Sequence, residues 1–555
     1  MKRIGILIDG SRYNRYVHET ISELAGCEEI SLFFLQNEMI SPQRSIWKSF
    51  GLTRQSRGVL RAVEQLCFEL YAGVERRVLS RFLPEVRKHF EIRESKEFNR
   101  HPTTFITPLF SASQTDLHYS EEDIAAIRAL DLDLIVQGSA LGVLKGDILT
   151  AAKEGVISLH YGDNRWSRGG PSAFWEVYYR KPSTGFVIEI LTEEPGGGAV
   201  IFRGDFATRR SYMENLADLC NESNPYLSTV VIDYTRSGEL PEAEARYPFG
   251  GYHSKIPSLM QLISYLFKNT SLFLLLIVDK VILRREKKWS VAYTDRSWRD
   301  ADLGRGIEIR NPPGHFLADP FMIEREGRNI CFLEDYDYAK GRACIAAVEI
   351  HSAKQYEMLG PVIEEPFHMS YPYLFEYEGV LYMLPETNEA DAIRLYRCTN
   401  FPLKWEYQQD VMDGVKAFDS MIFQHGGSWW LLSNMSAKGK EDGSSQLMAF
   451  YSDDPLSGSW QPHRKNPIIF DSATARNGGI LDLDSGYPIR SRQRQGFNSY
   501  GDALTLARIT NLTPDSYGEE ELEEILPHFF EHISRCHHIH SNGRYTVYDY
   551  LRTES

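Results

Sequence analysis

The sequence has 555 residues, of which 42% are apolar and 25% charged, and its formal net charge is −15. This composition is typical of a soluble globular protein of two to four domains, at roughly 100–200 residues per domain. The acidic balance argues against a nucleic-acid binder, which needs a basic face to neutralise phosphates. The seven cysteines are scattered and form no CxxC pair, which predicts reduced thiols in the cytoplasm and no metal centre.

The N-terminal part alternates apolar strands with helices. Apolar runs occupy residues 3–8, 30–35, 132–137 and 157–160. This order predicts βαβ units and a mostly parallel sheet that is covered on both faces. The first run is expected to be a buried strand rather than a secretory signal, because it lacks a long apolar core. Residues 40–100 are arginine-rich and helical in pattern, which predicts a helical insertion.

Residues 206–288 are predicted to link two domains and to contain an apolar helix. The apolar stretch 259–283 is interrupted by Lys268, Asn269 and Asp279, so it lacks the uncharged span of about 20 residues that crosses a membrane. Two interpretations stay open. The stretch is either a buried helix between domains or an interfacial helix, in which case 259–288 contact a membrane and the basic run from Arg284 meets anionic lipid.

From Trp289 onward the sequence has an all-β pattern with an internal repeat. Each unit has a polar start, an apolar strand, a glycine-containing turn, an aromatic strand and a polar end, at a spacing of about 50–60 residues. The units open at or near Asp319, Tyr371, Asp419, Arg476 and His537. One hairpin cannot bury its own faces, so the units must stack, and five units predict a five-bladed β-propeller over 289–555.

The residues that open the repeats should converge on the propeller axis, which is lined by the first strand of each blade. Carboxylates around a pocket are the usual start for acid/base chemistry on sugars. We therefore predict a sugar-binding site formed by Asp319, Glu334, Tyr371, Glu386, Asp419 and Arg476. The structural alternative is that these acids cap turns or pair with Arg476, Arg490 and Arg492.

The repeats resemble the propellers of arabinanase- and xylosidase-type glycoside hydrolases, which carry one acidic residue on each of three blades. Asp319 matches the first of these acids and Asp419 lies near the third, but Tyr371 stands at the second, so ordinary hydrolysis is not expected. A closer resemblance is to the propeller region of plant glucosamine inositolphosphorylceramide transferases. It rests on residues 318–321 (ADPF), 368–373 (HMSYPY), 394–397 (RLYR), 401–405 (FPLKW) and 500–501 (YG). It implies a sugar nucleotide or a lipid-linked glycan as partner.

The N-terminal part resembles the fold of methionyl-tRNA, glycinamide ribonucleotide and sugar N-formyltransferases over residues 1–205. The motifs are 133–138 (DLIVQG), 155–162 (GVISLHYG), 168–175 (RGGPSAFW), 183–188 (STGFVI) and 196–201 (GGGAVI). The resemblance implies an α/β Rossmann-like domain that transfers a formyl group from 10-formyltetrahydrofolate to an amine.

The residues at the formyltransferase catalytic positions match that family only in part. His160 matches the catalytic histidine, Ser158 replaces the asparagine, and Gly196 stands where an aspartate is expected. The candidate substitutes are Glu193 or Glu194, whose register differs by one or more residues, and Asp163 from a different loop. Residues 168–170, which are Arg168, Gly169 and Gly170, either shape a loop against the substrate or form the turn before a helix.

Three functions in surface-polysaccharide or glycolipid biosynthesis follow from these patterns. The first is transfer of a formyl or related acyl group to an amino sugar, with the propeller holding the glycan. The second is a glycosidase- or glycosyltransferase-like propeller with an inactive formyltransferase-like domain. The third is a non-catalytic glycan-binding scaffold. In each case a cytoplasmic or membrane-peripheral location is expected.

Overall fold

The computed structural model describes residues 1–10, 12–38, 58–94, 100–111, 116–138, 142–165, 169–194, 197–245, 255–277, 286–436, 443–483 and 486–554. The chain forms two compact units, Met1–Phe273 and Leu274–Ser555. The sequence predicted a linker over 206–288, but most of that segment belongs to the first unit. The reason is a long helix beginning at Tyr212, whose buried face packs inside this unit.

The strands of the first unit are short, and most of them pair in one sheet. In chain order, β1 to β12 are Lys2–Ile8, Arg12–Asn14, Ile30–Asn37, Ile92–Glu94, Thr103–Ile106, Leu109–Phe110, Asp116–His118, Leu134–Gln137, Val143–Leu144, Val156–His160, Ser183–Ile190 and Ala199–Ala207. The main sheet has the order β12-β11-β10-β8-β1-β3-β5. Strands β10, β8, β1, β3 and β5 run parallel, while β11 and β12 are antiparallel. The predicted mostly parallel sheet is confirmed.

Helices pack around this sheet and account for the burial of its strands. The helices α1 to α7 are Arg15–Ala25, Val59–Leu79, Pro84–His89, Glu121–Ala129, Phe174–Tyr179, Tyr212–Ser237 and Leu259–Ile277. Helix α6 contacts α1, α2, α3 and β11 and buries Cys220, Leu227, Val231 and Tyr234. Among the helices in the described ranges, none combines the length and apolarity that crossing a bilayer requires.

The second unit is built from strands. In chain order, β13 to β34 are Glu286–Thr294, Ile307–Ile309, His315–Arg325, Arg328–Asp337, Arg342–Ser352, Gln355–Ile363, Ser370–Tyr377, Val380–Glu386, Ala392–Asn400, Lys404–Asp413, Phe418–His425, Ser428–Asn434, Gln446–Ser452, Gln461–Pro462, Ile469–Phe470, Asn477–Asp482, Ile489–Gly496, Ser499–Thr513, Ser516–Ile525, Ile533–Arg535, Ile539–Ser541 and Thr546–Glu554.

These strands form five antiparallel sheets. Four of them begin with β15, β19, β23 and β28, and each continues through consecutive strands. The fifth combines both ends of the unit, because β13 pairs with β14 on one side and with β34 on the other. The first strands contact one another in the cyclic order β15, β19, β23, β28, β33 and back to β15. This closed cycle is that of a five-bladed propeller, and it confirms the repeat.

We expect the closing strand β34 to be the point at which the propeller is most sensitive to a charge. Val547 is fully buried in it, opposite Tyr293. Val547→Asp places an unpaired carboxylate there and should lower the free energy of unfolding by about 3 kcal/mol or more. Chemical denaturation of the full chain measures this. Arg544→Asp, at an exposed position just before the strand, is the control, and equal effects of the two changes would contradict the expectation.

Candidate functional site

Three blades share an unusual backbone position where their first strand begins. Asp319, Tyr371 and Asp419 have φ values of 48°, 48° and 43°. These values lie in the left-handed region, which residues other than glycine seldom adopt. At each of them the pairing of the first strand with its neighbour is interrupted. The fourth blade has the same interruption, with Gly479 at φ 104°. Such residues are held by surrounding contacts and cluster at functional sites.

Asp319 joins the first, second and last blades. Its Oδ2 accepts a hydrogen bond of 3.2 Å from the main-chain N–H of Tyr371, and its own N–H donates to Asp549 Oδ2 at 3.1 Å. His537 lies between the two acids, with Nδ1 2.8 Å from Asp549 and Nε2 3.3 Å from Asp319 Oδ1. Burial raises the pKa of Asp319 to about 7, although His537 opposes this shift.

The charges on Asp319 and Asp549 also act on His537. Burial alone would lower the pKa of His537, but Asp549 and Asp319 together raise it above its usual value. The ligand atoms of the three residues lie within 4.8 Å of one another, so this group has the composition of a small cation site. The sequence predicted no metal ligand here.

Asp419 is the centre of a second group. It accepts hydrogen bonds from Arg476 Nε at 2.6 Å and from Gln493 Nε2 at 2.8 Å. The Arg476 guanidinium lies over the Tyr500 ring, 4.8 Å from its centre, which holds this cation in place. The Glu386 carboxyl lies 3.8 Å from Arg476 Nη2, and burial together with the Asp419 charge raises the pKa of Glu386 well above the usual range.

Glu334 is a further acid in the same network. Burial, and after it the charges of Asp319 and Glu386, raises the pKa of Glu334 well above its usual value. Its Oε1 lies 3.7 Å from His368 Nε2. The buried residues around Asp319 and Asp419, called the hub below, therefore include three carboxyl groups whose pKa is raised, those of Asp319, Glu334 and Glu386. That arrangement suits groups that exchange protons.

Several buried polar atoms of this network have no hydrogen-bond partner in the described part of the chain. They are Asp319 Oδ1, Tyr371 OH, Glu386 Oε2 and Gln493 Oε1. Asp319 Oδ1 and Glu386 Oε2 make ion-pair contacts of 3.3 Å with His537 and 3.8 Å with Arg476, but these contacts are not hydrogen bonds. Both ring nitrogens of His538, which packs on Phe321 at 4.4 Å, also lack a partner there. A buried polar atom without a partner is costly. Unpartnered oxygens gathered around Asp319 and Asp419 therefore indicate a place where a ligand donates hydrogen bonds.

The structure brings the predicted propeller residues together. Asp319, Glu334, Tyr371, Glu386, Asp419 and Arg476 all belong to this network, and His537 joins it. The structural alternative is also partly realised, because Asp419 pairs with Arg476. Sequence reasoning missed Asp549 and Gln493. A buried acid inside the apolar strand Val547–Leu551 needs a partner, and that requirement was the available signal for Asp549.

The predicted site of the first unit has a different character. Ser158 and His160 occupy alternate positions of β10 and therefore share a face of the sheet. Gly169 and Gly170 have φ values of 81° and 75°, which is the conformation of a tight turn. Arg168 lies outside the described residues. Whether Ser158 and His160 act in catalysis stays a prediction.

Asp163 is enclosed by guanidinium groups. Its carboxylate accepts hydrogen bonds from Arg165 Nε at 2.8 Å and from Arg203 Nη1 at 2.9 Å. Burial would raise the pKa of Asp163, but these arginines hold it below its usual value. A carboxylate saturated in this way is a poor proton acceptor. Asp163 is therefore poorly suited to serve as the acid of formyl transfer, and it anchors β12 through Arg203.

The fold and the hub define the second unit as a five-bladed β-propeller with a buried acidic centre. Residues 305–545 match the family described as glucosamine inositolphosphorylceramide transferase 1, N-terminal. The transferase of that name from Arabidopsis thaliana is 36% identical over 213 residues, which is 38% of this chain and 28% of the plant protein. The protein from Oryza sativa subsp. japonica is 34% identical over 210 residues, covering 37% and 28%. The matched region thus spans little more than a quarter of these relatives.

Comparison with solved structures gives low similarity for both units. A family 117 glycoside hydrolase from Zobellia galactanivorans has a TM-score of 0.31 at 13% identity, over 42% of this chain and 75% of that one. Glycinamide ribonucleotide transformylase 1 from Symbiobacterium toebii has a TM-score of 0.27 at 14% identity, over 44% and 95%. The assignment of the five blades therefore rests on the strand pairing and blade contacts given above.

The raised pKa values predict that the propeller loses stability as the pH rises. Asp319, Glu334 and Glu386 keep protons in the folded state that the unfolded chain releases above about pH 4, so the free energy of unfolding falls between about pH 4 and 7. His537 acts in the same direction, since its raised pKa stabilises the fold below about pH 6.5 and this contribution is lost at higher pH.

Asp319→Asn should therefore reduce the drop in melting temperature between about pH 5 and pH 8, which thermal unfolding at a series of pH values measures. Glu349→Gln is the control, because Arg328 lowers the pKa of Glu349 and its effect has the opposite sign. A wild-type melting temperature that rises over this range would contradict the prediction.

Proposed function

We propose that this chain takes part in the biosynthesis of a glycolipid or surface glycan and that the propeller hub binds the sugar. The observation that carries this proposal is the set of unpartnered hub oxygens on Asp319, Tyr371, Glu386 and Gln493. Sugars present many hydroxyl donors, which complement such a set. The name of the plant relatives, glucosamine inositolphosphorylceramide transferase 1, supports a lipid-linked glycan or a sugar nucleotide as the partner.

The charge of the hub favours a sugar that carries an amino group. The three aspartates of the hub, Asp319, Asp419 and Asp549, outnumber its two basic partners, which are Arg476 and His537. The unpartnered atoms of Asp319, Glu386 and Gln493 are all oxygens that accept hydrogen bonds. An ammonium group offers three donors and a positive charge, and it would satisfy these atoms.

Transfer or binding suits the hub better than hydrolysis. Hydrolysis by two carboxyl groups requires them to stand about 5–10 Å apart on either side of the bond. Here Glu386 and Asp419 both contact the Arg476 guanidinium, at 3.8 Å and 2.6 Å, and Tyr371 replaces the acid of the second blade. Glu386, whose pKa is raised by burial, is the residue that could give a proton to a leaving group.

The predicted membrane contact through 259–288 is part of this proposal. Helix α7 exposes Met260, Ile263 and Phe267, which recur at helical spacing on one side. Such a side suits the surface of a membrane in which a lipid-linked glycan resides. Arg284 and Arg285 of the predicted basic run lie outside the described residues. The cytoplasmic location stays a prediction.

Calorimetric titration of the full chain with methyl glucosaminide, its N-acetylated form and methyl glucoside tests the hub. We expect the free amine to bind most tightly, and Asp319→Asn to weaken it about tenfold or more, since a charge-assisted hydrogen bond is lost. Glu357→Gln, on the outer strand β18, should leave the affinity unchanged. Equal affinity for the three sugars would refute the preference for an amine, and no binding of any would refute the sugar site.

Formyl transfer by the first unit is the second candidate function, and 10-formyltetrahydrofolate is its proposed cofactor. The observation in its favour is the position of His160 at the carboxyl end of a parallel strand, where α/β sheets commonly bind ligands. Folinic acid, a stable analogue, should raise the melting temperature of the full chain if this unit binds folate. His160→Gln should abolish the shift and Asp163→Asn should not. Absence of any shift in the wild-type chain would remove this candidate.

A further inference from the structure

A groove on the first unit is lined by arginines and lies outside both sites described so far. It runs between the end of α2 and helix α3 and has a volume of about 490 Å³. Its lining consists of Gly73, Arg76, Arg77, Ser80, Arg87 and Phe90. The lining includes three cations and no carboxylate, in a chain that has 76 acidic and 61 basic residues other than histidine.

The three arginines are not engaged in ion pairs with the described residues. None of Arg76, Arg77 and Arg87 forms a salt bridge within the described part of the chain, whereas Lys88 pairs with Glu85. The Arg76 guanidinium lies 4.1 Å from the centre of the Phe90 ring. This stacking holds the guanidinium plane in position, which reduces the entropy lost when it binds a ligand.

The helix dipole explains part of this arrangement but not all of it. Arg76 and Arg77 lie in the last turn of α2, and Arg87 lies in the last turn of α3, where cations are favoured. The dipole accounts for the sign of the charge. It does not require side chains from two helices to line one groove, and it leaves their forked N–H donors available.

We propose that this groove binds a phosphoryl group, most favourably a diphosphate. Guanidinium forks match the oxygens of phosphate in pairs, and three of them balance the charge of a diphosphate. Ser80 adds a hydroxyl donor at the same groove. This proposal does not depend on the propeller hub. Two sources share this chemistry, namely a soluble nucleoside diphosphate and the phosphate of a lipid headgroup, and the experiment separates them.

The experiment uses the full chain and three probes: inorganic pyrophosphate, UDP, and phosphatidylcholine vesicles with or without phosphatidylglycerol. The test variant is Arg76→Gln combined with Arg77→Gln. The control is Arg180→Gln combined with Arg210→Gln, which removes the same charge from exposed positions of the same unit. Circular dichroism of both variants verifies that they fold.

We expect the test variant to weaken binding at least about tenfold and the control variant to change it less than about twofold. Arg87→Lys keeps the charge but loses the fork, and it should give an intermediate loss. Binding of pyrophosphate and UDP identifies a soluble diphosphate, and binding only to vesicles that contain phosphatidylglycerol identifies a lipid headgroup. The proposal is overturned if the wild-type chain binds none of the probes, or if the test and control variants behave alike.

Discussion

The second unit depends on the pairing between its two ends. Strand β13 pairs with β34 along its whole length, from Glu286 opposite Glu554 to Thr294 opposite Thr546. This ladder completes the fifth blade and places the last strand beside the first blade. Only then does Asp549 receive the hydrogen bond from the Asp319 N–H, with His537 between the two acids. The hub is therefore a product of ring closure, and no single blade contains it.

Burial and mutual repulsion shape the acids that the hub brings close together. Like charges at short range disfavour ionisation, and burial adds to this effect. Both effects raise the pKa of Glu334 and of Glu386, while Asp419 accepts hydrogen bonds from Arg476 and Gln493. The left-handed backbone at Asp319, Tyr371 and Asp419 costs about 1–3 kcal/mol at each residue. Contacts between blades, such as that from Tyr371 to Asp319, offset this cost.

The sequence predicted the elements whose signal is local or repeated. Apolar runs gave the positions of β1, β3, β8 and β10, and the repeat placed Asp319, Tyr371 and Asp419 at equivalent positions of three blades. Asp549 was not predicted as a site residue because its partner Asp319 lies at the opposite end of the unit, and only ring closure brings the two together. No local pattern in a sequence reports a contact of that kind.

The boundary of the first unit was misplaced for a different reason. Helix α6 buries polar residues, including Ser223 and Asn224, and its composition therefore suggested an exposed linker. These side chains donate hydrogen bonds to main-chain carbonyls of the same helix, Ser223 to Leu219 at 2.6 Å and Asn224 to Cys220 at 2.6 Å. A polar side chain that hydrogen-bonds to the main chain of its own helix can be buried at little cost. The average polarity of the segment does not reveal such bonds.

Asp163 and the acids of the propeller hub have opposite surroundings, and this difference bears on where chemistry is expected. In the first unit, Asp163 is saturated by Arg165 and Arg203, so its proton affinity is low and its oxygens are occupied. In the second, Asp319 and Glu386 keep oxygens without partners and have raised pKa values. A group can exchange a proton with a ligand when one of its atoms is unoccupied and its pKa lies near the working pH. Asp319 and Glu386 of the propeller hub meet both conditions, and Asp163 meets neither.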